Sequence, residues 1–232
     1  MNDLQSAGLH RLWKRRLVQL AEVRRGDYAL DVCCGTGDIA FALASKGASA
    51  VGMDFNAPML SVAEARRERL ISEKQNGGSG GDSGGKTLSL RFLEGDALQI
   101  PFPDNTFDIA TVGYGLRNLV RWETGLSEMQ RVLKPGGRLL ALDFGKPDNA
   151  LLRWVYFSYL RFLVPTLGAI VCRNPAAYAY ILESLRHYPA QRGVDAELRG
   201  LGFVHVRIVN LLGGIMSINY GEKAGTTLES CR

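Results

Sequence analysis

The chain has 232 residues, 46% of them hydrophobic and 22% charged, enough for one well-buried α/β domain of ordinary globular composition. Lys and Arg outnumber Asp and Glu by 28 to 23, so the formal charge is only +5, a solvated basic face rather than the footprint of a nucleic-acid binder. Cys33, Cys34, Cys172 and Cys231 form no C-x-x-C pair, no apolar run reaches the roughly 20 residues that span a bilayer, and nothing at the start reads as a signal or transit peptide. Zinc, a disulfide framework and a membrane span are therefore not indicated, and a reducing compartment is expected.

Residues 10–23 carry Trp13, Leu17 and Leu20 at helical spacing, Leu9 just ahead of them, and Arg11, Lys14, Arg15 and Arg16 around them. This predicts a surface helix, its basic side either solvated or set against anionic lipid. A strand follows at 28–32 and breaks into Gly35-Thr36-Gly37, after which residues 38–45 read as a helix and 48–53 as a strand buried on both faces. Strand, glycine loop and helix bind a nucleotide-like cofactor through close backbone approach and free helix N–H groups. Because Gly35, Gly37 and Ala40 also satisfy a dinucleotide fingerprint, this loop alone does not choose the cofactor. Asp54, at the carboxyl end of the second strand, suits two ribose hydroxyls, or else it caps a helix running to residue 72.

Residues 76–85 contain only Gly, Ser, Asp and Asn and read as a flexible surface loop. The third strand is expected over 87–93, with Asp96 beyond its end as either a contact to an adenine amino group or a turn cap. A turn at 100–106 leads to a strand at 107–112. The loop Gly113-Tyr114-Gly115-Leu116-Arg117-Asn118 then gathers several hydrogen-bonding groups and is the preferred reaction site; the plainer alternative is that Arg117 anchors the loop to a carboxylate. A helix at 123–133 is stopped by Lys134-Pro135-Gly136-Gly137 before a strand at 138–143. Residues 151–171 are rich in Leu and aromatics, a core-packing helix pair or a greasy lid, and helices are expected at 176–186 and 194–201. Strands at 203–212 and 215–220 around Gly213-Gly214 close the chain as a hairpin. The fold class is thus α/β, a Rossmann-like doubly wound seven-stranded sheet with five parallel strands and a C-terminal antiparallel hairpin, the methyltransferase variant rather than a dehydrogenase. No Tyr-x-x-x-Lys pair supports hydride chemistry.

His10-Arg11-Leu12-Trp13-Lys14-Arg15, Gly35-Thr36-Gly37-Asp38, the run from Pro101 to Asp108, Gly115-Leu116-Arg117-Asn118 and the run from Arg131 to Arg138 together resemble the ubiquinone/menaquinone biosynthesis C-methyltransferase family, within the class I S-adenosylmethionine-dependent methyltransferases. Cys33-Cys34, Gly113-Tyr114 and Leu142-Asp143-Phe144 resemble its plant, algal and cyanobacterial branch, which methylates demethylphylloquinone; the respiratory quinone enzymes commonly have Gly-Gly at 33 and 34. The resemblance implies S-adenosylmethionine as cofactor, with contacts at Thr36, Asp54, Asp96, Ala97 and Gly113. Asp31, Gly35, Gly37 and Phe55 are expected to join them. It places the reaction at Arg117 and Asn118; Tyr114, Tyr156 and Tyr180 are expected to line the substrate pocket, and no metal is expected. The implied partners are a prenylated quinol, a membrane surface met peripherally and a second copy in a homodimer. The implied location is the chloroplast, at the thylakoid or envelope, or a cyanobacterial cytoplasm. A different phenolic acceptor, or a cofactor-binding scaffold within a quinone-synthesis assembly, remains open. The family's Tyr-Asp segment would lie ahead of Asn2, and residues 76–85 are an insertion.

Overall fold

The computed structural model describes residues 9–76, 89–158, 184 and 188–225. Helix α1 (Leu9–Leu20) leads into strand β1 (Tyr28–Val32), helix α2 (Asp38–Ser45), strand β2 (Ser49–Asp54), helix α3 (Ala57–Asn76), strand β3 (Leu90–Glu94) and strand β4 (Phe107–Gly113). A 3-10 turn (Leu116–Asn118) precedes helix α4 (Trp122–Val132), strand β5 (Leu133–Phe144), helix α5 (Ala150–Ser158), helix α6 (Ala190–Gly200) and strands β6 (Phe203–Leu211) and β7 (Met216–Lys223), the last two joined by another 3-10 turn (Leu212–Gly214).

The strands form one seven-stranded sheet in the order β3-β2-β1-β4-β5-β7-β6. β1 to β5 are mutually parallel, and β7 runs antiparallel to both β5 and β6. Alternation along the strands builds two cores. Leu30 and Val32 of β1 pack on one face with Leu126 and Met129 of α4 and Val194 and Leu198 of α6, whereas Ala29 packs on the other with Leu17 of α1 and Ile39 and Leu43 of α2. Helices on both faces leave the central strands largely apolar, with Asp31, Thr111 and Asp143 as buried exceptions.

Several expected boundaries move. β5 begins at Leu133, not residue 138, because Lys134-Pro135-Gly136-Gly137 does not separate helix from strand. Phe107 pairs with Leu133 and Ile109 already pairs with Arg138, so the four residues form an irregularity inside β5, with Gly136 at φ +77°. α3 continues past residue 72 to Asn76, and α6 starts at Ala190 rather than 194. The expected loop beyond Asn76, most of the aromatic stretch beyond Ser158, Tyr180 and nearly all of the expected helix at 176–186 lie outside the described residues. Among the described residues no helix is long and apolar enough to cross a membrane.

Candidate active site

Register brings the carboxyl ends of the parallel strands to one edge: Val32 faces Met53 and Val112, Asp54 faces Glu94, and Gly113 faces Leu142. The strand order reverses between β1 and β4, and ligands of open α/β sheets bind at that switch point.

The β1–α2 loop is built on its backbone. Cys34 N–H donates to Met53 O at 3.0 Å, and Gly37 N–H donates to Cys34 O at 2.9 Å. Gly37 sits at φ +82°, and a Cβ there would lie 2.6 Å from the Phe92 ring, so any side chain is strained and must displace that ring. As the N-cap of α2 it supplies no side-chain cap, and the Ala40 N–H of the first turn is taken instead by Asp31. Thr36 lies in this loop, half-buried.

Asp54 ends β2 at 7% exposure. Its Oδ2 accepts Gly35 N–H at 2.8 Å and its Oδ1 accepts Asn56 N–H at 2.9 Å, so each oxygen retains a lone pair. Beside it the Phe55 ring is 75% exposed, unusual for an aromatic at the end of a buried strand. Asp96 is exposed; its Oδ1 accepts Leu98 N–H at 2.8 Å, which makes it a turn cap with its second oxygen unengaged in that bond. Ala97, next to it, is buried.

Asp31 is placed differently from the others. It is 1% exposed, its Oδ1 accepts Thr111 Oγ1–H at 2.8 Å, and its Oδ2 accepts Ala40 N–H at 3.2 Å. Burial pushes its carboxyl up to about 7, against the two hydrogen bonds. It braces α2 and β4 from behind the loop rather than standing on the open edge.

The β4 loop locks onto the β1 loop. A Cβ on Gly115 would lie 2.4 Å from Cys33 Cβ, and one on Gly113 2.5 Å from Ile39 Cδ1. Tyr114, at φ +62°, donates N–H to Leu142 O at 2.8 Å. Its carbonyl accepts Arg117 Nη1 at 3.0 Å and Asn118 Nδ2 at 3.3 Å, and burial raises its phenol well above the usual value. Arg117 and Asp143, whose side chains are 10% and 3% exposed, form an ion pair at 2.5 Å. The loop therefore is anchored to a carboxylate, as the plainer alternative expected; Asp143, noted in the sequence only within Leu142-Asp143-Phe144, is that carboxylate. Asn118 is exposed on the same turn. Tyr156 is buried on α5, its ring 5.5 Å from Phe157.

A second group missed in the sequence is Asp38, at the start of α2. Lys14 of α1 and Arg66 of α3 donate to its two oxygens at 2.7 and 2.6 Å. Burial works to raise its carboxyl, but these two hydrogen bonds outweigh burial and hold it below the usual carboxylate range. An acidic residue in the first helical turn was the visible signal; its two partners, distant in sequence, were not.

S-adenosylmethionine fits this edge. The glycine backbone permits close approach, Asp54 offers two anchored acceptors, and Phe55 presents a bare ring next to them. The profile of the ubiE/COQ5 methyltransferase family matches residues 1–223. The ubiquinone/menaquinone biosynthesis C-methyltransferase UbiE of Azotobacter vinelandii is 41% identical over 226 residues, 96% of this chain and 84% of that one. The protein of the same name from Cellvibrio japonicus is 40% identical over 226 residues, 96% of this chain and 85% of its own. Among solved structures, a SAM dependent methyltransferase from Aquifex aeolicus aligns with a TM-score of 0.63 at 18% identity, covering 93% of this chain and 92% of that one. Magnesium protoporphyrin IX methyltransferase from Synechocystis, solved with bound SAH, aligns at 0.60 and 14% identity over 93% of this chain and 84% of its own. These two likenesses carry the fold alone. Family profile, curated relatives and cofactor edge agree: the chain belongs to the ubiE/COQ5 methyltransferase family and is an S-adenosylmethionine-dependent methyltransferase.

Proposed function

We propose that the chain transfers a methyl group to a ring carbon of a reduced prenylated quinone, with 2-phytyl-1,4-naphthoquinol as the acceptor. The observation that carries this is a buried arginine, Arg117, on a loop interlocked with the glycine loop at Cys33 and Gly115, which brings a cationic group next to the cofactor edge. The Cys33-Cys34 pair supports the naphthoquinol branch.

When bound, S-adenosylmethionine supplies a methyl group already activated by its sulfonium. The chain then has to hold the cofactor, align the acceptor and make the ring carbon electron-rich. Asp54 accepts from the ribose hydroxyls, Phe55, Asp96 and Ala97 meet the adenine end, and Gly35, Thr36, Gly37 and Gly113 let the backbone lie close. Asp31 keeps α2 in place behind them. Arg117 stabilises the phenolate formed when a quinol hydroxyl ionises, and Asn118 orients it. A guanidinium stays charged, so the proton leaves through water. Tyr114 and Tyr156 line the acceptor side.

The relatives' names favour one second reading, a ubiquinone- or menaquinone-branch acceptor. Labelled S-adenosylmethionine is incubated with demethylphylloquinone, with and without reductant, beside a demethylated benzoquinone. Product only from the reduced naphthoquinone supports the proposal. Product from the benzoquinone moves the chain to the other branch, and cofactor binding without any product supports a scaffold. The same reading places the protein at a thylakoid or envelope surface, or in a cyanobacterial cytoplasm. The 71% and 68% exposed Leu151 and Trp154 on α5 support a peripheral membrane contact, and flotation with anionic vesicles tests it.

A further inference from the structure

Arg117 is gripped on one side only. Asp143, at the carboxyl end of β5, accepts the Arg117 backbone N–H on Oδ2 at 3.2 Å and its Nη1 on Oδ1 at 2.5 Å. Nη1 also donates to Tyr114 O at 3.0 Å, and the guanidinium carbon lies 4.7 Å from the Phe144 ring centre. Asp143 is itself fixed by Phe144 N–H, which donates to Oδ1 at 2.8 Å. Nε is buried without an acceptor, and none of these bonds engages Nη2. Nε–H and Nη2–H point the same way and form the side-on fork with which a guanidinium receives oxygen anions. A buried donor left without a partner is costly and calls for an explanation.

We propose that Asp143 is a positioning residue for methyl transfer: by taking Nη1 it aims the Nε–Nη2 edge of Arg117 at the acceptor, as a two-donor receptor for the oxygen anion formed when the acceptor hydroxyl ionises. The chemistry of the acceptor rests on the quinol reading above. Asp143 also offsets the guanidinium charge, so the pair acts through aimed N–H dipoles more than through net charge. Charge alone predicts the opposite result on neutralising Asp143, because a lone guanidinium would favour the anion more.

The probe is a nitro-substituted 1-naphthol, whose absorbance reports its ionisation, bound to the full chain loaded with S-adenosylhomocysteine. The bound probe should ionise about one pH unit below the free one, a tenfold preference for the anion. Asp143→Asn should return it to the free value, as should Arg117→Lys, which keeps the charge and loses the fork. Cofactor affinity by calorimetry should change by less than about threefold in both variants. With reduced naphthoquinone, Asp143→Asn should lower kcat about a hundredfold with little change in KM. In an Arg117→Ala background it should add almost nothing, since it acts through Arg117. If Asp143→Asn alone fails to fold, Arg117→Lys and the double variant, which strands no buried charge, still decide. The proposal is overturned if the probe does not bind, if it binds with unshifted ionisation, if Asp143→Asn keeps or enlarges the shift, or if the losses are additive. A shift that Asp143→Asn abolishes, without methyl transfer to any quinol, would refute the quinol acceptor and leave the Asp143 role standing.

Discussion

Asp31 holds its proton far more tightly than a carboxylate in water, because burial removes hydration that two hydrogen bonds only partly replace. Its folded value of about 7 lies above the usual 3.8, so the native state binds the extra proton between those limits. The stability it contributes is present below about pH 4 and is lost as pH rises through 7, at up to about 1.4 kcal/mol per unit. Asp31→Asn should flatten the denaturant midpoint against pH over that window; an unchanged slope would show that other groups set it. Glycines make a paired test. Gly37 and Gly136 share positive φ, +82° and +77°, but a Cβ on Gly37 meets the Phe92 ring while one on Gly136 meets nothing within 4 Å. Gly136→Ala should cost about 1 kcal/mol and leave cofactor affinity alone. Gly37→Ala should cost a further 1–3 kcal/mol or so and weaken S-adenosylhomocysteine binding in calorimetry. The loop glycines and Asp54 were legible in the sequence, since chemistry and chain position coincide there. Asp143 was not, because it meets Arg117 across 26 positions of sequence, and only the pairing of β4 with β5 brings them together. Cys33, at φ +54°, shows a left-handed backbone under a side chain that does not advertise it.

Helix α1 is held to the fold in two ways, and the difference is measurable. Its Lys14 reaches Asp38, but both side chains are partly exposed, at 18% and 37%, so Lys14→Ala should cost about 1 kcal/mol or less. Leu17 is fully buried against α2 and the sheet, so Leu17→Ala should cost about 2–5 kcal/mol. Amide exchange over Leu9–Leu20 should speed modestly in the first variant and greatly in the second; the reverse ranking would make the ion pair the main fastening. At this scale β1 and α2 were read from sequence with their observed bounds, because a short apolar run, a glycine loop and an apolar period each mark one boundary. The start of β5 was misread. Pro and two glycines look like a stop, and only the partner strand β4 shows that the chain pairs on both sides of them. α6 was begun late because Ala190, Gln191, Arg192 and Gly193 carry no apolar period ahead of Val194.

Over the whole molecule, the cofactor edge belongs to strands that each pair with a neighbour, so binding should be felt as global stability. S-adenosylhomocysteine at a hundred times its Kd should stabilise the native state by about 2.7 kcal/mol, which for a chain of this size raises the melting temperature by roughly 5–10 °C. Asp54→Ala should lose most of that rise, and a full rise in the variant would remove Asp54 from the site. The doubly wound order was legible from alternating strands and helices, and the hairpin from Gly213-Gly214 between two apolar runs.

The antiparallel strand β7 lies between β5 and β6, so Leu139, paired on its inner side with Ala110 of β4, finds its outer partner in Gly221. On the ribosome β5 is made well before β7, and its outer edge, along Leu139, Leu140 and Leu142, stays unpaired until Met216–Lys223 emerges. The nascent protein thus carries an open strand edge until β7 arrives, and a message broken ahead of Met216 should yield a product prone to clump. β7 is thus a guard against aggregation for β5 as well as a part of the finished sheet.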